Sequence, residues 1–144
     1  MNLNLGCGNR QQPDSYNVDI RKTDITDFIW DLENTPWPFA QDEQFENIYA
    51  IDIVEHILRV LPFMDECWRI MKPDGLLNIR TTFYLSPNSY RDPTHFHFFT
   101  WESFDYWDPR TQCGKDYEYS DKKFWILERN IDGEELVFML QKKV

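Results

Sequence analysis

At 144 residues, with 42% hydrophobic and 17% aromatic side chains, the chain has the length and apolar content of one packed domain over residues 1–144, which excludes a disordered segment. Its formal charge of −10 repels phosphate backbones, so no nucleic-acid partner is expected; the acidity serves solubility or a site that favours a cation, such as a sulfonium or an amine. No apolar run nears the roughly eighteen residues of a membrane helix, no leader pattern opens the chain, and Cys7, Cys67 and Cys113 have no framework spacing, so a cytoplasmic protein with reduced thiols and no membrane partner is expected.

In chain order, residues 2–5 alternate polar and apolar and run into Gly6-Cys7-Gly8, the pattern of a short strand ending in a tight turn. Residues 16–20 form a second short strand, and residues 27–31 a third candidate. Pro36 to Phe39 is a stiff, turn-rich stretch. Residues 45–52 form the strongest strand, apolar enough for the centre of a parallel sheet. A helix opens at Val60-Leu61-Pro62, carries Leu61, Met64, Trp68 and Met71 at helical spacing, and stops at Lys72-Pro73-Asp74-Gly75. Residues 76–83 are the next strand, followed by a loop over 84–99 rich in His, Phe and Pro. Thr100 is placed to N-cap a helix over residues 101–107. Strands at 124–128 and 136–141 meet across the Asp132-Gly133 turn. Alternating strand and helix predicts an α/β fold with a mostly parallel sheet covered on both faces and an antiparallel hairpin at its edge.

Three features point to a ligand. Glycine at a strand-to-loop turn permits positive φ and the close approach of a ligand, although Gly-x-Gly alone marks only a tight turn. Asp19 ends the second strand, where a carboxylate accepts hydrogen bonds from ribose hydroxyls. The long strand ends in Asp52, followed by Glu55-His56, at the carboxyl edge of the sheet where open α/β folds bind ligands.

The strings LNLGCG, YNVDI, DLENTPWPFAQDEQFENIYAIDIVEHI and ECWRIMKPDGLLNIRTTF, in this order over residues 2–83, resemble the class I S-adenosylmethionine (SAM)-dependent methyltransferases, and more narrowly the short type 11-like group. Asp92-Pro93-Thr94-His95 and Phe99-Thr100 resemble the same group. The resemblance implies a truncated Rossmann-like fold with SAM as cofactor and S-adenosylhomocysteine as product. It implies that the turn Leu5-Gly6-Cys7-Gly8 holds the methionine part, Asp19 the ribose, and Asp31-Leu32 the adenine edge, with Ile20 stacked on the ring and Ala50 and Ile51 under the sulfonium. The chain departs from the group at Asn4, where an acidic residue is common, and at Arg10, where a third glycine is common. Only eleven residues separate Gly8 from Asp19, too few for a full crossover helix.

Methyl transfer needs an aligned nucleophile, excluded water and, for a hydroxyl or protonated amine, a base. Asp52, Glu55 and His56 can share one face of a helical turn, where a carboxylate orients an imidazole or holds a cationic acceptor. His56, Asp52, Glu55 and His95 are the catalytic candidates. His95-x-His97 with Asp92 also has metal-ligand spacing, but no metal is expected: these are histidines of a structural loop, or of a lid that contacts the substrate. The expected function is methylation of oxygen or nitrogen on a small-molecule acceptor. The alternative is a non-catalytic SAM- or S-adenosylhomocysteine-binding protein, or a subunit of a larger assembly. A truncated sheet that leaves apolar faces uncovered would also suit a homodimer.

Overall fold

The computed structural model describes residues 1–144. Seven strands form one sheet in the order β3-β2-β1-β4-β5-β7-β6. They are β1 (Asn2–Leu5), β2 (Ser15–Asp19), β3 (Phe28–Ile29), β4 (Phe45–Ile51), β5 (Met71–Thr82), β6 (Lys123–Asp132) and β7 (Glu135–Lys143). The first five run parallel. β7 is antiparallel to both β5 and β6, so the hairpin does more than add an edge: its second strand inserts into the sheet. Asp132 pairs with Glu135, which tightens the turn to Gly133-Glu134, and Gly133 takes φ +61° to close it.

Alternation decides which face packs. Leu3, Leu5, Val18, Ile48, Ala50, Leu77, Ile79, Leu136, Phe138 and Leu140 share one face and are buried. The longest helix, α1 (Val60–Ile70), contributes Phe63, Met64, Cys67 and Ile70 to the same core, at the spacing of one helix face. Pro62 lies in its first turn, where backbone N–H groups have no intrahelical partner to lose. The Lys72–Gly75 stop is accommodated inside β5: Asp74 takes φ +62° and the pairing with β4 shifts register between Phe45 and Asn47.

The opposite face is half-exposed. Its rows read Ser15, Asn2, Asn47, Leu76, Gln141 and Asn17, Asn4, Tyr49, Asn78, Met139. The expectation of a sheet covered on both faces is therefore corrected: most of this period-two set stays half-exposed, and only Asn4 and Asn17 are buried, bonded to Arg10 and Gln11 in the loop after β1. No helix connects β1 to β2 either, as the short spacing requires. The helix expected at 101–107 is also corrected. Residues 100–108 form i→i+3 turns with a 3-10 segment at Asp105–Trp107. That geometry puts Phe104 and Trp107 on one side. Phe104 stacks on Phe99 at 5.4 Å and meets Phe138 edge-on at 4.9 Å, so core packing overrides the N-cap signal at Thr100. Two further short helices, α2 (Asn88–Arg91) and α3 (Gln112–Asp116), lie in the same connection. No helix is long and apolar enough to cross a membrane.

Candidate functional site

The carboxyl ends of β1, β2 and β4 open into one cavity of about 750 Å³. Gly6, Gly8, Asp19, Ile20, Asp31, Leu32, Asp52 and His56 line it, so eight of the residues singled out from the sequence converge there. Arg21, Trp30, Glu33, Ile53, Ile57, Asp92 and Thr94 complete the wall.

The glycine turn is built for close approach at one position and for packing at the other. Gly6 takes φ +63°, and a Cβ there would sit 2.7 Å from Ile53 Cδ1. Gly8 takes φ +51° with open space where a Cβ would point. Asp19 lies beside it, 7% exposed. One carboxylate oxygen accepts the Gly8 backbone N–H at 2.8 Å and the other the Arg21 N–H at 2.9 Å. Each oxygen retains a second lone pair.

Where the turn would normally lead into a helix, Arg10 reaches across the sheet edge. Its Nη1 donates to Asp52 Oδ2 at 2.8 Å and ties the loop after β1 to the end of β4. Asp52 holds φ +55°, a left-handed conformation that aspartate adopts more readily than most side chains, at the step from strand to 3-10 turn (Val54–His56).

Below this step, Glu55 is 2% exposed and accepts the Thr81 hydroxyl at 3.0 Å. Burial is the main cause that lifts its carboxyl to about 7. The loop from 84 to 99 is pinned to the same turn: Phe96 N–H donates to Glu55 O at 2.8 Å and His97 Nε2 to Leu58 O at 2.9 Å. His56 Nδ1 meets Thr94 Oγ1 at 2.9 Å, and the Thr94 hydroxyl donates to Asp92 Oδ1 at 2.7 Å. A hydroxyl that gives its proton to Asp92 can only accept from His56, so His56 carries its proton on Nδ1 and a lone pair on Nε2. Burial, then the neighbouring His95, holds its pKa below the ordinary imidazole value. The rings of His56 and His95 meet edge-on at 4.7 Å.

Other side chains expected at the cofactor do not line the cavity. Leu5 and Ala50 are fully buried in the core, because in-register pairing puts both on the packed face. Cys7 is buried against Thr26, its Sγ 3.8 Å from Thr26 Oγ1, and Ile51 lies on the opposite face of the sheet. Glu55 and His95 stand behind His56, outside the lining. The expected lid turns most of its rings outward: Tyr84, Tyr90, Phe96 and Phe98 are exposed, while only Asp92 and Thr94 of that loop reach the cavity. No sequence signal marks Arg21, Trp30 or Ile53 as wall residues, because each depends on how the loops after β2, β3 and β4 fold over the turn. A second, smaller cavity of about 480 Å³ lies beside α1, lined by Leu58, Pro62, His97, Tyr106, Trp107 and Tyr119 among others.

No protein-family profile matches the chain, and no curated protein matches it. Solved structures do. A SAM-dependent methyltransferase from Archaeoglobus fulgidus superposes with a TM-score of 0.66 at 17% identity, over 98% of this chain and 85% of that one. One from Mesorhizobium loti gives 0.65 at 11% identity, over 98% and 90%. The [4+2]-cyclase SpnF gives 0.66 at 12% identity, over 99% and 74%. At these identities the likeness establishes the fold, that of the class I SAM-dependent methyltransferases, and the presence of a cyclase among the matches keeps fold and reaction separate.

Proposed function

We propose that this chain, folded as a class I SAM-dependent methyltransferase, binds SAM in the 750 Å³ cavity and transfers its methyl group to oxygen or nitrogen of a small-molecule acceptor. The observation that carries the reading is the Asp19 carboxylate, held at the end of β2 beside an unobstructed Gly8 turn. Asp19 has two lone pairs left for ribose hydroxyls, and its backbone partners hold it in place before any ligand arrives. Gly8 admits the amino-acid part of the cofactor. Ile20, Trp30 and Leu32 offer apolar surface for the adenine, and Asp31 an acceptor at its edge. Bound SAM supplies an electrophilic methyl on a cationic sulfur.

The chain's own residues then have two tasks. With Asp52 paired to Arg10, the carboxylates of Asp19, Asp31, Glu33 and Asp92 outnumber the one lining cation, Arg21, and give the cavity a negative potential that suits a sulfonium and a cationic or polar acceptor. His56, neutral and with its Nε2 lone pair fixed by the Thr94–Asp92 relay, takes the proton of the acceptor. Glu55 and His95 fix the position of that imidazole from behind.

Calorimetric titration with SAM and with S-adenosylhomocysteine tests the reading first. Micromolar binding of both is expected, and binding of neither rejects it. An acceptor screen with His56→Ala as control follows: turnover that disappears in the variant while SAM affinity stays supports the proton transfer. Affinity for both ligands without turnover on any acceptor supports the binding-protein alternative, which the helix-free first crossover also favours.

A further inference from the structure

Glu55, His56 and His95 come from two separate segments, yet one ligand atom from each lies within 4.8 Å of the other two. Two of these groups are withdrawn from water: Glu55 is 2% exposed and the His95 side chain 9%. Glu55 has the Thr81 hydroxyl as its one side-chain hydrogen-bond partner, which leaves carboxyl lone pairs free for a ligand.

The hydrogen bonds around the two imidazoles define which nitrogen is free. His95 Nδ1 lies 3.0 Å from the Ser89 carbonyl, which only accepts, so Nδ1 carries a proton and, in the neutral ring that a metal requires, Nε2 the lone pair. His56 is fixed in the same tautomer by Thr94, itself bonded to Asp92. A carbonyl behind one imidazole and a hydroxyl–carboxylate relay behind the other are the outer partners that metal-binding histidines carry. His97 is excluded from the set, since its Nε2 donates to the Leu58 carbonyl.

We infer that the Glu55 carboxylate and the unprotonated ring nitrogens of His56 and His95 form a site for one divalent transition-metal ion of the Mn²⁺–Zn²⁺ series. Two imidazoles and one carboxylate suit these ions and leave coordination positions open. Ligand atoms around one such ion stand roughly 3–4 Å apart, so the three side chains draw together on binding. Asp92 Oδ2, 3.8 Å from His95 Nε2, is within reach as a further ligand. Two residues at this cluster, His56 and Asp92, line the main cavity, while Glu55 and His95 stand behind them, so the site adjoins the cavity wall. Resting on the methyltransferase reading, this deepens it: the acceptor class is one that presents a metal-binding oxygen, such as a hydroxyl. A bound ion would lower the pKa of that hydroxyl so that its proton passes to water, and His56, its lone pair then on the ion, would act as a ligand where without metal it acts as the base.

The test uses the purified chain without SAM or acceptor. Co²⁺ is added and the visible d–d absorption followed, with calorimetric titration of Mn²⁺ and Zn²⁺ alongside. Saturable 1:1 binding is expected, at least tenfold weaker in Glu55→Gln and in His95→Gln, while both variants keep SAM affinity and the wild-type circular dichroism. No saturable binding overturns the site. So does binding that is unchanged in both variants, since the ion then sits elsewhere. SAM binding without metal binding removes only this inference, whereas metal binding without SAM binding upholds the ion site and removes the methyltransferase reading beneath it.

Discussion

Asp19 does two jobs that conflict in most side chains: it is satisfied inside the protein and still available to a ligand. Its two backbone partners, on Gly8 and Arg21, come from loops on either side of β2, so the carboxylate also fixes the shape of the turn. Asp19→Ala is therefore expected to lower SAM affinity by about 10–100-fold, the loss of one or two hydrogen bonds to a charged group. Unchanged affinity in a calorimetric titration rejects the ribose assignment. Glu55 makes a different kind of prediction. Its folded carboxyl is raised from 4.5 to about 7, so the folded state holds the proton more tightly than the unfolded chain. Its contribution to stability is thus most favourable below about pH 4.5, falls as pH rises through about 7, and is level above that. Glu55→Gln abolishes this decline. Relative to wild type, the variant gains up to about 3 kcal/mol between pH 5 and pH 8, since each tenfold difference in proton affinity between folded and unfolded chain is worth about 1.4 kcal/mol. Denaturant titrations at the two pH values, in buffer stripped of divalent ions, measure it; parallel curves for the two proteins contradict it.

At the scale of elements, the first crossover is the feature that departs most from a nucleotide-binding unit. Arg10 spans the gap by pairing with Asp52, a bond between groups 64% and 32% exposed. Such a pair contributes less than about 1 kcal/mol to folding. Its effect is on order: it holds the loop after β1 against the end of β4, on both sides of the cavity mouth. Arg10→Ala should leave the thermal midpoint within about 2 °C of wild type and weaken SAM several-fold, read by thermal denaturation and calorimetry on the same sample. A loss of stability without a change in affinity would mean that the strap is structural only. The same region shows what the sequence discloses. The glycine turn, Asp19, β4 and α1 are all legible, because each is written in adjacent residues: a turn dipeptide, a strand terminus, a period of two, a period of 3.6. The missing crossover helix is legible too, by counting residues. The relay from His56 through Thr94 to Asp92 is not, since His56 and Thr94 lie 38 residues apart and meet only when the 84–99 loop docks on the 3-10 turn. Residues 101–107 mislead for the opposite reason: a good local N-cap signal loses to the pull of Phe104 and Trp107 toward the core.

At the scale of the molecule, the truncated fold has one packed face and one open one, and the open face explains how the chain tolerates the loss of a helical layer. A homodimer would follow from apolar faces left uncovered. Instead, polar side chains fill most of both rows: Ser15, Asn2, Asn47 and Gln141 beside Leu76 in one, and Asn17, Asn4 and Asn78 beside Tyr49 and Met139 in the next. These amides satisfy one another in part: Asn47 donates to Asn2 at 3.0 Å and Asn4 to Asn17 at 2.9 Å. Asn4 and Asn17 are already buried and bonded to Arg10 and Gln11, so the amides that a copy would strip of water are the half-exposed Asn2, Asn47, Asn78 and Gln141, at a cost of about 1–3 kcal/mol for each one left unpaired. A net charge of −10 adds repulsion between copies. The outer edge, β6, is guarded as well, with Lys123, Glu128, Arg129 and Asp132 spaced along it. The molecule is therefore expected to sediment as a 17.5 kDa monomer at tens of micromolar in physiological salt. A concentration-dependent shift toward twice that mass would place a partner copy on a face whose chemistry argues against it. In that case Asn47→Asp, which puts a charge at the centre of the open face, should drive the species back to monomer; if it does not, the contact lies on the exposed aromatic loop that carries Tyr90, Phe96 and Phe98.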